Sequence, residues 1–264
     1  MLNTKLRTGI LALGLVVIAG VLFSFMQKPK PTLYLVGDST VKNGKGKGDG
    51  GLWGWGSYVG TYFDTTKITV ENDALGGTSS RTFQTQGWWD KVLVNIKPGD
   101  FVVMQFGHND SSPLVDTSRA RGTIKSNSDE SQDLFNPLTK KQEVIHSYGW
   151  YLRKMIGEAK AKGATVLVCS LIPRNSWKDG KVNRSTNDYG LWASQAAKQG
   201  GAEFIDLNTI VSEVYDKEGQ EKVGTVYFTD KDHTHTIKAG AQLNAKLVAQ
   251  GIKDSKSPLR KYLK

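Results

Sequence analysis

The residues best placed for chemistry are Ser39, which follows a short apolar run at residues 33–36, and a late histidine-containing loop that ends at His235. A serine hydroxyl becomes a nucleophile when a histidine accepts its proton, and that histidine needs an acid or a carbonyl group to fix its tautomer. Attack on a carbonyl carbon also requires hydrogen-bond donors for the oxyanion that forms. These residue types therefore indicate covalent attack by a serine on a carbonyl group.

The chain has four histidines, and three of them lie in predicted loops. His108 follows the third predicted strand, whereas His233 and His235 lie beside two aspartates in the late loop. His146 falls on a predicted helix, and we expect it to be structural. On residue type alone, each of the three loop histidines is a candidate partner for Ser39.

Apolar runs and helical patterns alternate along the chain and supply the elements that must position these residues. Near-continuous apolar runs are typical of strands buried on both faces of a parallel sheet. The predicted strands lie at residues 33–36, 68–70, 101–106, 164–169 and 204–207, and the predicted helices at residues 53–63, 88–96, 144–162, 191–198, 210–215 and 239–250. Residues 111–137 form a long polar loop, of a length that is usually functional or disordered.

Five alternations of strand and helix predict an α/β fold, namely a three-layer α/β/α sandwich with a five-stranded parallel sheet. Ligand sites of such sheets lie beyond the carboxyl ends of the strands. Ser39, Gly77 and Asn109 all follow predicted strands, so we expect them at one edge of the sheet.

Residues 1–30 are a predicted targeting segment, and residues 31–264 are the predicted domain. Lys5 and Arg7 precede an uncharged apolar run at residues 8–26, which is typical of an export signal and long enough to span a bilayer. A cleaved signal peptide and a retained membrane anchor both stay open, with a buried core helix as a third interpretation. Either of the first two predicts an exported domain that is periplasmic, membrane-anchored or secreted.

The net charge is +10, and +6 remains for residues 31–264 once the four basic residues of the first thirty are removed. A basic exported domain could bind anionic lipid or an acidic polysaccharide, or the charge could serve solubility alone. The lysines are spread along the chain, which argues against a nucleic-acid-binding face. Cys169 is the only cysteine and excludes an intrachain disulfide. We expect a monomer.

Four short motifs resemble the sequence blocks of the GDSL, or SGNH, hydrolase family. They are Gly-Asp-Ser-Thr at residues 37–40, Asn-Asp-Ala-Leu-Gly-Gly-Thr-Ser-Ser-Arg at 72–81, Gly-His-Asn-Asp at 107–110 and Asp-His-Thr-His at 232–235. They occur in the family's order and span nearly all of the chain after residue 30. The last motif and the Arg-Ala-Arg-Gly-Thr run at 119–123 resemble the rhamnogalacturonan acetylesterase branch. The resemblance implies the flavodoxin-like fold of that family.

The resemblance also implies a role for each matched residue. Ser39 would be the nucleophile, His235 the general base, and Asp232 the acid that orients His235. The backbone N–H groups of Ser39 and Gly77 and the side chain of Asn109 would form the oxyanion hole. Gly77 is chosen over the adjacent Gly76 because of its spacing from Asn72 and Arg81 within the motif. No metal or cofactor is implied.

The expected reaction is removal of O-acetyl groups from a polysaccharide, with pectic rhamnogalacturonan as the first choice of substrate. Arginines can pair with carboxylates through two hydrogen bonds, and tryptophans can stack on sugars. Surface solvation for the arginines and core packing for the tryptophan are the alternatives. The candidate substrate-binding residues are His108, Arg81, Arg119, Arg121 and Trp55.

Three other interpretations stay open. Asp232, His233 and His235 could bind Zn²⁺, although a metal site would leave Ser39 and Asn109 unexplained. A lipid-directed esterase or thioesterase would use the same triad behind a wide apolar mouth. A carbohydrate-binding protein without catalysis would bind glycans and release no acetate.

Overall fold

The strands of the protein are short and lie between helices for most of the chain. The computed structural model describes residues 30–264, so the predicted targeting segment lies outside the described residues apart from its last position. The described strands are β1 (Thr32–Gly37), β2 (Leu52–Trp53), β3 (Thr69–Asn72), β4 (Phe101–Gln105), β5 (Ser131–Asn136), β6 (Lys141–His146), β7 (Thr165–Cys169), β8 (Trp177–Lys178), β9 (Lys181–Val182), β10 (Glu203–Ile205) and β11 (Thr236–Ile237). The described helices are α1 (Ser80–Thr85), α2 (Trp88–Leu93), α3 (Tyr148–Ala161), α4 (Tyr189–Gly200), α5 (Leu207–Glu218), α6 (Gln220–Val226) and α7 (Lys238–Asp254). Within residues 30–264, no helix combines the length and the apolar character needed to cross a membrane.

Five of these strands form one parallel sheet in the spatial order β10-β7-β4-β1-β3. Numbered among themselves along the chain, they follow the order 5-4-3-1-2, which is the doubly wound, flavodoxin-like arrangement. The direction of winding reverses between β1 and β4, so the loops that leave these two strands diverge and open a crevice. The predicted five-stranded parallel sheet is confirmed.

The sheet separates two hydrophobic cores, because successive side chains of a strand point to opposite faces. Leu33 and Leu35 belong to the core that packs α5 and α7, whereas Tyr34 and Val36 belong to the core that packs α1 to α4. Both faces of the sheet are therefore covered by helices, and the architecture is the predicted three-layer α/β/α sandwich.

The predicted boundary between the long polar loop and the helix at residues 144–162 is wrong. Ser131–Asn136 and Lys141–His146 pair as an antiparallel hairpin, and α3 begins only at Tyr148 after the N-cap Ser147. Val144 continues the apolar spacing of the helix by coincidence, since it is 51% exposed on β6. His146 therefore ends a strand, where its ring stacks on Trp150 at 3.7 Å between centroids.

The predicted helix at residues 53–63 is instead a pair of short 3-10 turns after β2, at Trp55–Ser57 and Val59–Tyr62. Gly54 precedes these turns and packs closely against the backbone of Val41. A Cβ at this position would lie 2.2 Å from the carbonyl carbon of Val41, so only glycine fits. The Trp55 N–H donates to the Thr40 carbonyl at 3.0 Å. This segment therefore supports the turn that carries Ser39.

Candidate active site

Four loops of the described chain converge at the carboxyl edge of the central sheet. Ser39 lies two residues after β1, and Asn109 lies four residues after β4, so they flank the point where the winding reverses. Gly77 follows β3, and His235 directly precedes β11. The predicted convergence of Ser39, Gly77 and Asn109 is present in the structure, and His235 joins them there.

Ser39, His235 and Asp232 form a continuous chain of hydrogen bonds. The Oγ of Ser39 lies 2.8 Å from Nε2 of His235, and Nδ1 of His235 lies 2.7 Å from Oδ2 of Asp232. A carboxylate only accepts hydrogen bonds, so the His235 proton is on Nδ1 and Nε2 is free to accept the proton of Ser39. The arrangement is that of a nucleophile, a base and an orienting acid.

The Asp232 carboxylate is held in place by its own turn. Its Oδ1 accepts hydrogen bonds from the backbone N–H groups of Thr234 and His235, both at 2.8 Å. Partial burial alone would raise the pKa of Asp232, but the backbone and ring hydrogen bonds from His235 hold that pKa below its ordinary value. Asp232 therefore stays ionised and fixes the His235 tautomer over the neutral pH range.

A two-stranded ribbon brings the histidine loop to the serine loop. Thr236 of β11 pairs with Trp53 of β2 in antiparallel register, and the Thr236 hydroxyl donates to the Trp53 carbonyl at 3.1 Å. β2 follows the loop that begins at Ser39, so the ribbon joins the two ends of the domain directly beside the hydrogen-bonded chain.

Hydrogen-bond donors collect next to the Ser39 hydroxyl. Within residues 30–264, the backbone N–H groups of Ser39 and Gly77 have no acceptor. The Asn109 amide donates one N–H to the Thr78 carbonyl at 2.7 Å, which leaves its second N–H available. A Cβ placed on Gly76 would lie 3.5 Å from the Ser39 Cβ, so the glycine turn packs against the serine. These groups can hold an oxyanion.

A buried aspartate–histidine pair lies beneath these donors. The Oδ2 of Asp38 is 3.3 Å from Nδ1 of His108, and the other ring nitrogen is 3.0 Å from the Ile172 carbonyl oxygen. Both ring nitrogens face oxygen atoms, so the ring is held between the Asp38 side chain and the Ile172 backbone. Burial alone would raise the pKa of Asp38, but the His108 ring and the Thr40 hydrogen bonds hold it below its ordinary value.

A second buried carboxylate, Asp110, ties the loop after β4 to the start of α1. It accepts hydrogen bonds from the Ser80 N–H at 3.1 Å, the Ser80 hydroxyl at 2.5 Å and the Gly107 N–H at 3.1 Å. Complete burial raises its pKa to about 7, and the nearby Asp38 charge acts in the same direction. Asp110 supports the Asn109 loop from behind and does not reach the cleft.

The site opens into a cleft of about 480 Å³ in which three arginines meet. Arg119 and Arg121 line it as expected, and the Arg121 guanidinium donates to the Gly77 carbonyl at 2.8 Å. Arg174 also lines it, where it donates to the His108 carbonyl at 3.2 Å and to the Thr234 hydroxyl. Sequence reasoning missed Arg174, although its position shortly after β7 places it at the same edge of the sheet.

His108 lines the cleft, but the structure does not bring the two remaining candidates to it. Arg81 is fully buried and pairs with Glu143, so its guanidinium is a structural clamp. Trp55 is also fully buried, and its indole N–H donates to the Gln105 side chain at 2.9 Å. The interpretation of Arg81 and Trp55 as substrate contacts is therefore replaced by structural roles.

The late loop does not assemble a metal site within the described residues. Among residues 30–264, no three side chains of histidine, cysteine, aspartate or glutamate lie close enough to hold a metal ion. His233 instead lies 3.3 Å from the Asn175 amide, measured between Nδ1 and Nδ2, on the exposed side of the loop.

Similarities to known proteins agree with this geometry. The family model of the GDSL-like lipase/acylhydrolase family matches residues 35–243. A rhamnogalacturonan acetylesterase of Emericella nidulans is 28% identical over 215 residues, which are 81% of each chain. The Bacillus subtilis protein named "Probable rhamnogalacturonan acetylesterase YesY" is 32% identical over 231 residues, covering 86% of this chain and 94% of that protein. The crystal structure of Bacillus subtilis YxiM superposes with a TM-score of 0.67 at 28% identity, covering 85% of this chain and 56% of that one.

The match to the family model spans well over half of the chain, and the predicted resemblance to this family and to its rhamnogalacturonan acetylesterase members is confirmed. The chain belongs to the GDSL-like lipase/acylhydrolase family and is a carboxylic ester hydrolase.

Proposed function

We propose that the protein is a serine esterase that removes O-acetyl groups from an acidic polysaccharide, with pectic rhamnogalacturonan as the substrate. The observation that carries the proposal is the hydrogen-bonded chain Ser39–His235–Asp232, which opens into a cleft lined by arginines. The names of the two similar acetylesterases support the same substrate class.

In the first half of the proposed reaction, the Ser39 oxygen attacks the acetyl carbonyl carbon while its proton passes to Nε2 of His235. The negative charge that develops on the carbonyl oxygen is stabilised by the N–H groups of Ser39 and Gly77 and by the free amide N–H of Asn109. Asp232 stabilises the imidazolium that forms. Collapse of the intermediate breaks the bond to the sugar oxygen, which takes the proton from His235.

The second half repeats these steps with water. His235 removes a proton from a water molecule, and the hydroxide attacks the carbonyl carbon of the acetyl-enzyme. The same three donors hold the second oxyanion. Collapse breaks the bond to Ser39, whose oxygen recovers its proton from His235, and acetate leaves. All proton transfers use side chains of the described chain, so we propose no metal or cofactor.

The lining of the cleft supports a small acyl group on a polar substrate. An acyl chain longer than acetyl would need apolar side chains to contact it. Within the described chain, the lining residues are all glycines or polar and charged residues: Ser39, Asn43, Gly44, Gly76, Gly77, His108, Asn109, Arg119, Arg121, Arg174, Thr234 and His235. A lipid-directed esterase or thioesterase is therefore the weaker candidate.

The charge of the cleft supports an acidic glycan. Arg119, Arg121 and Arg174 contribute three positive charges to the lining, and guanidinium groups pair with carboxylates through two parallel hydrogen bonds. The galacturonate residues of rhamnogalacturonan carry such carboxylates. We also propose that the enzyme is exported, because the basic flank and apolar run of residues 5–26 are typical of an export signal.

The test is acetate release from acetylated rhamnogalacturonan, xylan and mannan, with Ser39→Ala as the inactive control. We expect the highest kcat/KM with rhamnogalacturonan and no measurable release by Ser39→Ala. Faster release from xylan or mannan would reject the acidic substrate, and release by Ser39→Ala would reject the nucleophile. A series of 4-nitrophenyl esters of increasing chain length should show a steep loss of rate beyond acetate; a preference for long chains would favour the lipid-directed alternative.

A further inference from the structure

A second cavity of about 290 Å³ lies beside the catalytic cleft, between α1, the loop at residues 111–123 and the β5–β6 hairpin. We call it the hairpin pocket, and its principal lining residues are Thr85, Gln86, Arg119, Leu138, Lys141 and Gln142. Arg119 lines both cavities, so they meet at this side chain. A polymer that occupies the catalytic cleft can therefore continue into the hairpin pocket.

The hairpin pocket is held by a buried clamp. The Arg81 guanidinium pairs with both carboxylate oxygens of Glu143, at 2.9 and 2.7 Å. Its remaining nitrogen donates to the carbonyl groups of Leu114 at 2.6 Å and Gly122 at 2.9 Å. One fully buried side chain thus joins α1, the loop and the hairpin, which are the three walls of the pocket.

The turn that carries Arg119 is also fixed. The Asp116 carboxylate accepts hydrogen bonds from the backbone N–H groups of Ser118 at 2.7 Å, Arg119 at 2.5 Å and Ala120 at 3.0 Å. Ala120 is buried and has a φ of 43°, in the left-handed region that only a tightly determined turn imposes on alanine. Arg119 is therefore presented from a defined turn at the boundary of the two cavities.

The lining of the pocket suits an acidic sugar. Arg119 and Lys141 contribute positive charge, while the one lining carboxylate, Glu143, is neutralised by Arg81 and also accepts a hydrogen bond from Asn136 at 2.9 Å. Gln86 and Gln142 offer amide groups that can hydrogen-bond sugar hydroxyls. Leu138 is 44% exposed and supplies an apolar surface for the face of a sugar ring.

We propose that the hairpin pocket is a second glycan subsite, which binds a uronate residue of the same polysaccharide chain next to the acetylated residue in the catalytic cleft. The proposal rests on the acidic polysaccharide proposed above as the substrate. The hairpin pocket would hold the polymer and so lower KM for the polysaccharide. A small acetate ester in the catalytic cleft would not reach it.

Paired substitutions test the charge of the subsite. Lys141→Gln and Lys178→Gln each remove one positive charge from an exposed β-hairpin, but only Lys141 lines the pocket. KM and kcat are measured for acetylated rhamnogalacturonan, with 4-nitrophenyl acetate as the internal reference. Lys141→Gln should raise KM for the polysaccharide, relative to the reference ester, about two- to fivefold, as expected for an exposed ion pair. Lys178→Gln should leave that ratio at the wild-type value.

A blocking substitution tests occupancy of the pocket. Thr85→Trp fills the pocket from α1, and Thr225→Trp places the same side chain on exposed α6 as the control. Thr85→Trp should lower the ratio of kcat/KM for the polysaccharide to kcat/KM for the ester about tenfold, which corresponds to about 1.4 kcal/mol. If this variant does not fold, Gln142→Ala removes an amide from the hairpin wall of the same pocket.

The outcomes separate the two proposals. An unchanged ratio in Lys141→Gln and in the folded pocket variant, with wild-type enzyme releasing acetate from the polysaccharide, would overturn the subsite alone. Wild-type enzyme that hydrolyses the small ester but releases no acetate from the polysaccharide would overturn the proposed function together with the subsite.

Discussion

The Asp38 carboxylate and the His108 ring meet beneath the active site, 3.3 Å apart, although 70 residues separate them in the chain. Asp38 directly precedes Ser39, and His108 directly precedes Asn109. The pair therefore joins the loop of the proposed nucleophile to the loop of a proposed oxyanion donor, from within the protein.

Loss of this pair should destabilise the protein strongly. His108→Gln leaves the fully buried Asp38 carboxylate without its ring partner, and removing the partner of a buried charge costs about 3–5 kcal/mol of unfolding free energy. The folded pKa of Asp38 is below its ordinary value, so its contribution is present at neutral pH and is lost as pH falls through that folded pKa. Denaturant titrations at neutral and at acidic pH should therefore show a large difference between variant and wild type that shrinks in acid. The exposed His233→Gln is the control, and an equal effect of the two substitutions would contradict the assignment.

Asp232, the proposed acid of the triad, should be essential for the catalytic rate and should contribute little to stability. Asp232→Asn replaces the acceptor that keeps the His235 proton on Nδ1, so the ring can turn to the tautomer that cannot accept the Ser39 proton. We expect kcat for 4-nitrophenyl acetate to fall by about 10⁴-fold, with a nearly unchanged Tm. Asp230→Asn, an exposed substitution in the same loop, should keep the wild-type rate. A loss of less than tenfold in Asp232→Asn would exclude the proposed role.

Substitution of two glycines with similar backbone angles can distinguish an effect of backbone strain on stability from an effect on catalysis. Gly77 has a φ of 84° beside Ser39, and Gly87 has a φ of 74° at the start of α2. Alanine at either position should cost about 1–2 kcal/mol of stability, because an L residue is strained in the left-handed region. Only Gly77→Ala should also shift an oxyanion donor, which lowers kcat by about 10²-fold. Equal kcat values for the two variants would remove Gly77 from the oxyanion hole.

The buried Asp110 should make stability fall as pH rises. Burial raises its folded pKa to about 7, whereas the unfolded chain ionises near pH 4. Between these values the unfolded state binds fewer protons than the folded state, so unfolding becomes easier with increasing pH, by about 4 kcal/mol in total for this group. Asp110→Asn removes this titration, and its unfolding free energy should depend less steeply on pH between about 4 and 8. Parallel profiles for variant and wild type would show that folding does not raise the pKa of Asp110.

The arginines of the cleft should act on binding of the acidic polymer. Arg174→Ala should raise KM for acetylated rhamnogalacturonan several-fold and weaken its salt dependence, because interactions between exposed charges are screened at high ionic strength. The charge-matched control is Arg260→Ala, at an exposed position near the end of the chain. Steady-state kinetics at low and high salt distinguish the two variants; an equal response would show only a general effect of net charge.

The sheet could be predicted from the sequence because its three central strands, β1, β4 and β7, are short and largely apolar runs. The β5–β6 hairpin could not, because its residues are mostly exposed and polar and the apolar spacing of α3 extends backwards into it through Val144. The burial and the partners of individual side chains could not be predicted from the sequence either. Arg81 looks like a surface cation until its partner Glu143, 62 residues away, is brought to it by the fold.

The site was predictable where its residues lie in one short motif. Asp232 and His235 are three positions apart and share one turn, so their contact follows from local geometry. Arg174 lies in no recognisable motif and enters the cleft only because β7 ends beside β4, which is a matter of sheet order. The short motifs and their resemblance to the family therefore indicated the chemistry, and topology decided which arginines accompany it.

The β2–β11 ribbon makes the proposed activity depend on contact between distant parts of the domain. The Ser39 and His235 side chains are 196 positions apart in the chain. They meet only when β11 has paired with β2. A chain in which β2 and β11 have not paired lacks the proposed base beside Ser39. Ester hydrolysis at the proposed site therefore requires this long-range pairing, and recovery of activity after denaturation would report when the pairing has formed.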